Sequence, residues 1–212
     1  MKIAILGSGL MGSKLGTLWA RSGHQVTFAY SRTETKLARL AEVCGAAYGS
    51  VSEAVIGADA ILLAVHWNRV EDVLAQAGDM AAQVVINCCV PLDESNSQIV
   101  VGMTTSGAEE LARQRPRARW VSAFDTSPSE SFGPAFAAKG RSEPPQLLMY
   151  GDDAGAKTIA AELIRDVGFA PLEAGGLRTA RYAEPFAMVT AELAYGQPGG
   201  AALAYRFTRL TG

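Results

Sequence analysis

The stretch Gly7-Ser8-Gly9-Leu10-Met11-Gly12 spaces three glycines as a phosphate-binding turn requires. In such a turn the first glycine permits a tight bend and the second lets backbone approach a pyrophosphate. The third lets helix and strand pack closely, while free N–H groups at the helix start face the anion. The apolar run Ile3-Ala4-Ile5-Leu6 before it reads as a buried strand, and the residues after Gly9 recur at helical spacing. This context predicts a dinucleotide site.

A second cluster stands where the next strand, Gln25 to Tyr30, should end. An acid at that tip would bond the ribose hydroxyls of NAD. The chain instead reads Tyr30-Ser31-Arg32-Thr33, with Lys36 shortly after. A hydroxyl and two cations suit a 2′-phosphate, and a guanidinium can also stack on adenine, so the expected cofactor is NADP rather than NAD. An ordinary solvated loop is the competing reading.

Ligands of open α/β sheets bind outside the carboxyl ends of the strands. His66 follows the apolar run Ala60 to Val65, Val90-Pro91 follows Val84 to Cys89, and Asp125 follows Trp120 to Phe124. Ala64, Val65, His66, Val90 and Pro91 are therefore expected along the cofactor. No residue is a certain catalyst; His66 and Asp125 are the candidates for moving a proton. His66 has no visible partner acid and suits a structural role as well, while Asp125 could equally bond backbone N–H groups in its turn.

Strands at 2–6, 25–30, about 46–48, 60–65, 84–89 and 119–124, alternating with helical patterns, would hold these groups. Ser52 reads as the N-cap of a short helix near Glu53 to Ile56. Val70, Val73 and Leu74 mark another, and Ser106-Gly107-Ala108-Glu109 opens one that ends before Pro116. The expected fold is α/β, a Rossmann-type doubly wound, mostly parallel sheet with a small C-terminal helical lobe. The division is 1–124 for NADP and 125–212 for a lobe on the substrate side.

From Asp125 to Pro145 four prolines and many hydroxyl residues predict a long substrate-side loop. A strand at Gln146 to Tyr150 then leads to Asp152-Asp153, read as caps of a helix from Ala154 to Val167 rather than metal ligands, since no third ligand is visible. The apolar stretch Leu177 to Tyr195 should pack on the cleft or on a second copy, making a homodimer.

With 212 residues, 49% hydrophobic and 19% charged, and a net charge of −2, the chain offers no basic face for nucleic acid. No run approaches the roughly 18 apolar residues of a membrane span. Three cysteines, Cys44, Cys88 and Cys89, form no CxxC pair or disulfide framework, which suits the cytoplasm. A small molecule is the expected partner.

A family resemblance joins these pieces. Lys2-Ile3-Ala4-Ile5-Leu6-Gly7 with its glycine loop, Ser31-Arg32, Val90-Pro91-Leu92, Ser122-Ala123-Phe124, Gly151-Asp152-Asp153 and Leu172-Glu173-Ala174-Gly175 resemble, in that order, the F420-dependent NADP oxidoreductases. Arg178, Arg181 and Glu184 continue the likeness and separate it from pyrroline-carboxylate reductase and 6-phosphogluconate dehydrogenase relatives. The resemblance implies hydride transfer between C4 of NADPH and C5 of a deazaflavin, or a flavin-like ring. It places Gly7 to Gly12 on the pyrophosphate, Ser31, Arg32 and Lys36 on the 2′-phosphate, and His66, Val90 and Pro91 toward the nicotinamide.

Two positions depart from the family pattern: Asp125 stands where deazaflavin-using members tend to have His, and His66 where many have Pro. A carboxylate is a poor neighbour for an anionic deazaflavin. Two other readings therefore stay open, a reductase of a small carbonyl or imine with Asp125 or His66 as proton donor, and a protein that binds NADPH without turnover.

Overall fold

The computed structural model describes residues 1–210. A single eight-stranded sheet runs in the order β3-β2-β1-β4-β5-β6-β7-β8. The strands are β1 (Lys2–Leu6), β2 (Gln25–Ala29), β3 (Ala47–Gly49), β4 (Ala60–Leu63), β5 (Val84–Asn87), β6 (Arg119–Ala123), β7 (Gln146–Gly151) and β8 (Ala170–Glu173). All neighbours are parallel except β6 and β7. This is the expected Rossmann-type architecture. Its central strands are buried on both faces, as parallel strands between helices must be, and read as near-continuous apolar runs.

The helices are α1 (Leu10–Arg21), α2 (Glu34–Cys44), α3 (Val51–Val55), α4 (Val70–Ala77), α5 (Gly107–Gln114), α6 (Phe132–Ala137), α7 (Ala154–Asp166) and α8 (Ala180–Tyr195). Two core layers sandwich the sheet. One gathers Ile3, Ile5, Trp19, Phe28, Leu62, Ile86 and Phe124, and the other Ala4, Leu6, Ile61, Leu63, Val85 and Trp120. Adjacent Cys88 and Cys89 fall into opposite layers, as alternation along an extended chain requires.

Several expectations need correction. Ser50, not Ser52, caps α3: its hydroxyl accepts from Glu53 N–H while the Glu53 carboxylate accepts from Ser50 N–H. Asp153 alone caps α7, and Asp152 accepts instead from Leu177 N–H at 2.9 Å. The expected long loop after β6 is folded in its middle, over residues 129–137. A 3-10 turn at Ser129–Ser131 runs into α6, and Phe132 is fully buried in an edge-to-face chain of Trp19, Phe124, Phe132 and Phe169. Aromatic burial overrides the proline and serine content there. Strand β8 has no counterpart in the sequence reading, because it is a four-residue edge strand containing Pro171, which only an edge tolerates. The sheet continues without a break past residue 124, since β6 pairs with β7.

Candidate functional site

The crevice at the carboxyl ends of β1, β2, β4 and β5 is shaped by the glycine loop. Gly7 has φ of +120°, and a side chain there would overlap the Ala64 carbonyl and lie 2.8 Å from Val65 Cγ1. Any side chain at Gly12 would overlap the carbonyl oxygen of Gly7, so α1 starts hard against the strand end. Gly7 N–H donates to Ala29 at 2.9 Å and Ser8 N–H to Tyr30 at 3.2 Å, which ties the loop to the end of β2. Helix α1 has no side-chain cap and no acid in its first turn. Its leading N–H groups and positive dipole end are thus left to an anion. Leu10 is exposed, Met11 half-buried and Ser8 buried.

At the end of β2 the chain turns sharply at Tyr30, whose φ is +63° and whose hydroxyl donates to Asp72 at 2.6 Å. Desolvation, with the Asp72 bond second, pushes the Tyr30 phenol up to about 12. Arg32 and Lys36 are exposed, and neither joins an ion pair among the described residues. The tip carries exposed cations at Arg32 and Lys36, no acid at residues 30–33, and Glu34 as the first residue of α2. A cofactor with a pyrophosphate and a 2′-phosphate fits these residues.

His66 is exposed beyond β4, with Nδ1 3.3 Å from Asn96 Oδ1. Asn96 belongs to a turn folded around Asp93, which accepts from Ser97 N–H at 2.8 Å and from the Ser95 hydroxyl at 2.7 Å. Pro91 is buried against the start of α5, where a side chain at Gly107 would come within 3.1 Å of the proline ring.

Asp125 occupies a different setting. The chain leaves β6 through Phe124, whose φ of +71° is strained for an aromatic residue and is held by packing on Trp19 at 5.7 Å and Phe132 at 5.8 Å. The Asp125 side chain is then buried, with only 9% of the residue exposed. Oδ2 accepts a hydrogen bond from the Tyr150 hydroxyl, while Oδ1 has no partner. Buried Ser127 Oγ is also unpartnered. Burial pushes the Asp125 carboxyl up to about 6, although the Tyr150 bond and nearby backbone N–H groups pull the other way.

Behind Tyr150 the hydrogen bonds run in a set direction. Asn87 Oδ1 accepts from Cys89 N–H at 3.0 Å, which fixes the amide so that Nδ2 donates to Ser122 Oγ at 3.2 Å. Ser122 faces Tyr150 across the β6–β7 pair, and its hydroxyl bears on the phenol. Tyr150 is left to donate to Asp125. Its own proton is held firmly, since burial and the two neighbouring acids raise it well above the usual phenol range.

Glu184, on α8, is 1% exposed and accepts from Gly107 N–H and Ala108 N–H, each at 2.9 Å, closing the start of α5. Desolvation raises it to about 7, against those two bonds. One turn earlier Arg181 grips Glu109 with two bonds of 2.8 and 2.7 Å. Sequence reasoning noted Glu184 only within a family string and missed Tyr150, Thr126 and Tyr205. Thr126 and Tyr205 hydroxyls lie 2.7 Å apart, and Tyr205 also accepts from Leu148 N–H at 3.0 Å. No local pattern signals such contacts between residues 25 to 79 positions apart.

Residues 2–91 match the family model "NADP oxidoreductase coenzyme F420-dependent". The metalloreductase STEAP3 of Rattus norvegicus is 30% identical over 186 residues, which cover 86% of this chain but 36% of that protein. The chain thus spans about a third of that relative's length. Among solved structures, a candidate F420-dependent NADP-reductase from Arthrobacter sp. FB24 superimposes with a TM-score of 0.86 at 25% identity, covering 99% of this chain and 100% of that one. A reductive aminase from Aspergillus terreus in complex with NADPH and ethyl levulinate shares the fold, with a TM-score of 0.65 at 20% identity over 92% of this chain and 61% of that one. By the family model over residues 2–91 and by fold over nearly its whole length, the chain resembles the F420-dependent NADP oxidoreductases, a family of NADP-dependent oxidoreductases.

Proposed function

We propose that the protein transfers hydride between NADP(H) and an organic acceptor seated at the carboxyl ends of β5 and β6, with a deazaflavin or flavin-like ring as the acceptor the family resemblance favours. The carrying observation is the pairing of an uncapped, acid-free helix start behind Gly7 to Gly12 with unpaired cations at Arg32 and Lys36. In this reading Gly7, Ser8, Gly9, Leu10, Met11 and Gly12 hold the pyrophosphate. Ser31, Arg32 and Lys36 hold the 2′-phosphate, and Ala64, Val65, His66, Val90 and Pro91 wall the path to the nicotinamide. When bound, NADPH supplies a hydride from C4 of its nicotinamide. The chain's part is orientation and exclusion of water, for which buried Pro91 and the closed start of α5 are suited.

The residues from 125 onward form the substrate side in this proposal. Helix α8 exposes Tyr182, Val189 and Leu193 at 65%, 53% and 51%, which favours a homodimer through that face; a monomer in sedimentation at micromolar concentration breaks that part. All three cysteines are free, which suits the cytoplasm.

Titration of the protein with NADPH and NADH, followed by absorbance near 340 nm with F420, FMN and a cyclic imine, tests the reading. Preferred binding of NADPH and its oxidation by one acceptor are expected. NADPH bound with no acceptor reduced would favour a sensor, and oxidation by the imine alone would favour the carbonyl or imine reductase that Asp125 suggests.

A further inference from the structure

We propose that Asp125 is the acid–base group of this site, its reactive proton set on Oδ1 by Tyr150, and that the acceptor takes hydride on one atom and a proton on a conjugated nitrogen or oxygen. This rests on the hydride-transfer reading and adds the other half of the reaction.

Reduction of a deazaflavin, flavin, imine or carbonyl consumes a proton as well as a hydride. Few groups near the carboxyl ends of β5 and β6 can supply it. Cys89 is pushed up to about 12 and Cys88 also lies well above its usual range, both by burial, and both thiols point to the Leu63 carbonyl at 3.3 to 3.4 Å. Both Glu184 oxygens are engaged by backbone N–H groups. Among these buried groups, Asp125 pairs one committed oxygen with one buried oxygen that lacks a partner.

The commitment has a chemical consequence. Oδ2 receives a proton from the Tyr150 phenol and is the acceptor of the carboxyl group, with Ser122, itself given a proton by Asn87, standing opposite Tyr150 across the β6–β7 pair. A proton on Asp125 therefore resides on Oδ1, the atom without a partner. Ser127 Oγ, two residues on, is likewise buried without a partner. A buried polar atom left open costs stability, and such costs concentrate where a ligand makes the missing bond.

The acceptor gains the two electrons and hydrogen of the hydride that NADPH supplies. The Oδ1–H bond breaks, a new bond forms to the acceptor's nitrogen or oxygen, and Asp125 is left as a carboxylate. Solvent restores its proton when product leaves. In the reverse direction the carboxylate takes the proton. Tyr150 remains protonated throughout and acts as a positioning residue.

Single-turnover kinetics with NADPH and, in separate arms, F420, FMN and a cyclic imine tests this in wild-type protein, Asp125→Asn and Tyr150→Phe. The arms identify which acceptor carries the chemistry. Asp125 is faced by Tyr150 from β7, Cys88 and Cys89 beyond β5, Glu184 from α8 and Tyr205 from the C-terminal segment. Of these, Glu184 is the only other group raised to near neutrality, at about 7.

Wild-type reduction should fall as pH rises through about 6, where Asp125 loses its proton. Asp125→Asn should slow reduction roughly 100- to 10,000-fold while leaving the NADPH dissociation constant within about twofold. Tyr150→Phe removes a bond that favours the carboxylate, so the fall should move to higher pH; a merely structural tyrosine would not move it upward. Melting of the unliganded protein gives a readout independent of turnover, because Asp125→Asn should flatten the loss of stability between pH 4 and 8.

Unchanged turnover in Asp125→Asn, or a pH profile unmoved in Tyr150→Phe, overturns the inference with the cofactor reading intact. So does NADPH bound with none of the three acceptors reduced. Failure to bind NADPH overturns both together.

Discussion

The two ends of the crevice solve opposite electrostatic problems. At the glycine-loop end the backbone and the exposed cations Arg32 and Lys36 present positive charge to solvent, ready for phosphates. At the other end Asp125 and Glu184 are carboxyl groups taken out of water, at 9% and 1% exposure, and Asp125 adds to the rise at Glu184 that burial causes first. An exposed cation costs the fold little. A buried acid has an adverse burial cost that grows as pH rises, and the surrounding hydrogen bonds only partly offset it.

Glu184→Gln gives the largest test of that contrast. The carboxyl sits at about 7 in the folded chain and at its ordinary value of 4.5 when unfolded. Between those values the folded state binds more protons than the unfolded state, so stability falls as pH rises through the window and is greatest below it. The loss is on the order of 3 kcal/mol. In Glu184→Gln the decline from pH 4.5 to 8 should shrink by about that amount, whatever offset the lost N–H acceptor adds. Denaturant unfolding at several pH values measures it, and an unchanged slope would mean that Glu184 stays ionised in the fold.

The same contrast explains what could be read from residues alone. The glycine loop, the strand runs and the cation-bearing tip are local patterns, set within a few neighbours by backbone geometry and periodicity. They lead directly to the Rossmann-type sheet and to the proposed phosphate contacts. Asp125 was visible as the residue after a strand, but its burial was not. That depends on Phe124 packing between Trp19 and Phe132, and on the antiparallel β7 bringing Tyr150 opposite Ser122. Proline and serine content made residues 125 to 145 look like open loop, although hydroxyls at Thr126, Ser129 and Ser131 are buried. Strand β8 escaped notice for a related reason, since Pro171 argues against a strand until β7 supplies the edge.

Arg32→Ala sharpens the other end. Loss of a charge-assisted contact to a 2′-phosphate should weaken NADPH roughly 10- to 100-fold and leave NADH within about twofold. Parallel fluorescence titrations with the two nucleotides decide it. Equal weakening of both would remove the 2′-phosphate from the reading and make Arg32 a general surface charge. Because the cation is solvent-exposed, the melting temperature should hardly move, which sets it apart from the acids.

The smallest effect is expected from Arg181→Lys, and it asks whether α8 is held to α5 mainly by its buried acid or by its half-buried ion pair. Both contacts join the same two helices, Glu184 to the N–H groups of Gly107 and Ala108, and Arg181 to both oxygens of Glu109. The fork of a guanidinium matches a carboxylate in a way that an ammonium cannot, so lysine keeps the charge and loses the paired geometry. Ser106 still donates to Glu109 at 2.7 Å and accepts from its N–H, so the start of α5 keeps a cap. The pair also retains contact with solvent, which limits its worth and makes it sensitive to salt. Arg181→Lys should therefore lower the melting temperature slightly, and the difference from wild type should narrow in high salt. A difference that persists in high salt, or that approaches the effect of Glu184→Gln, would show the ion pair to be the main tie between the helices.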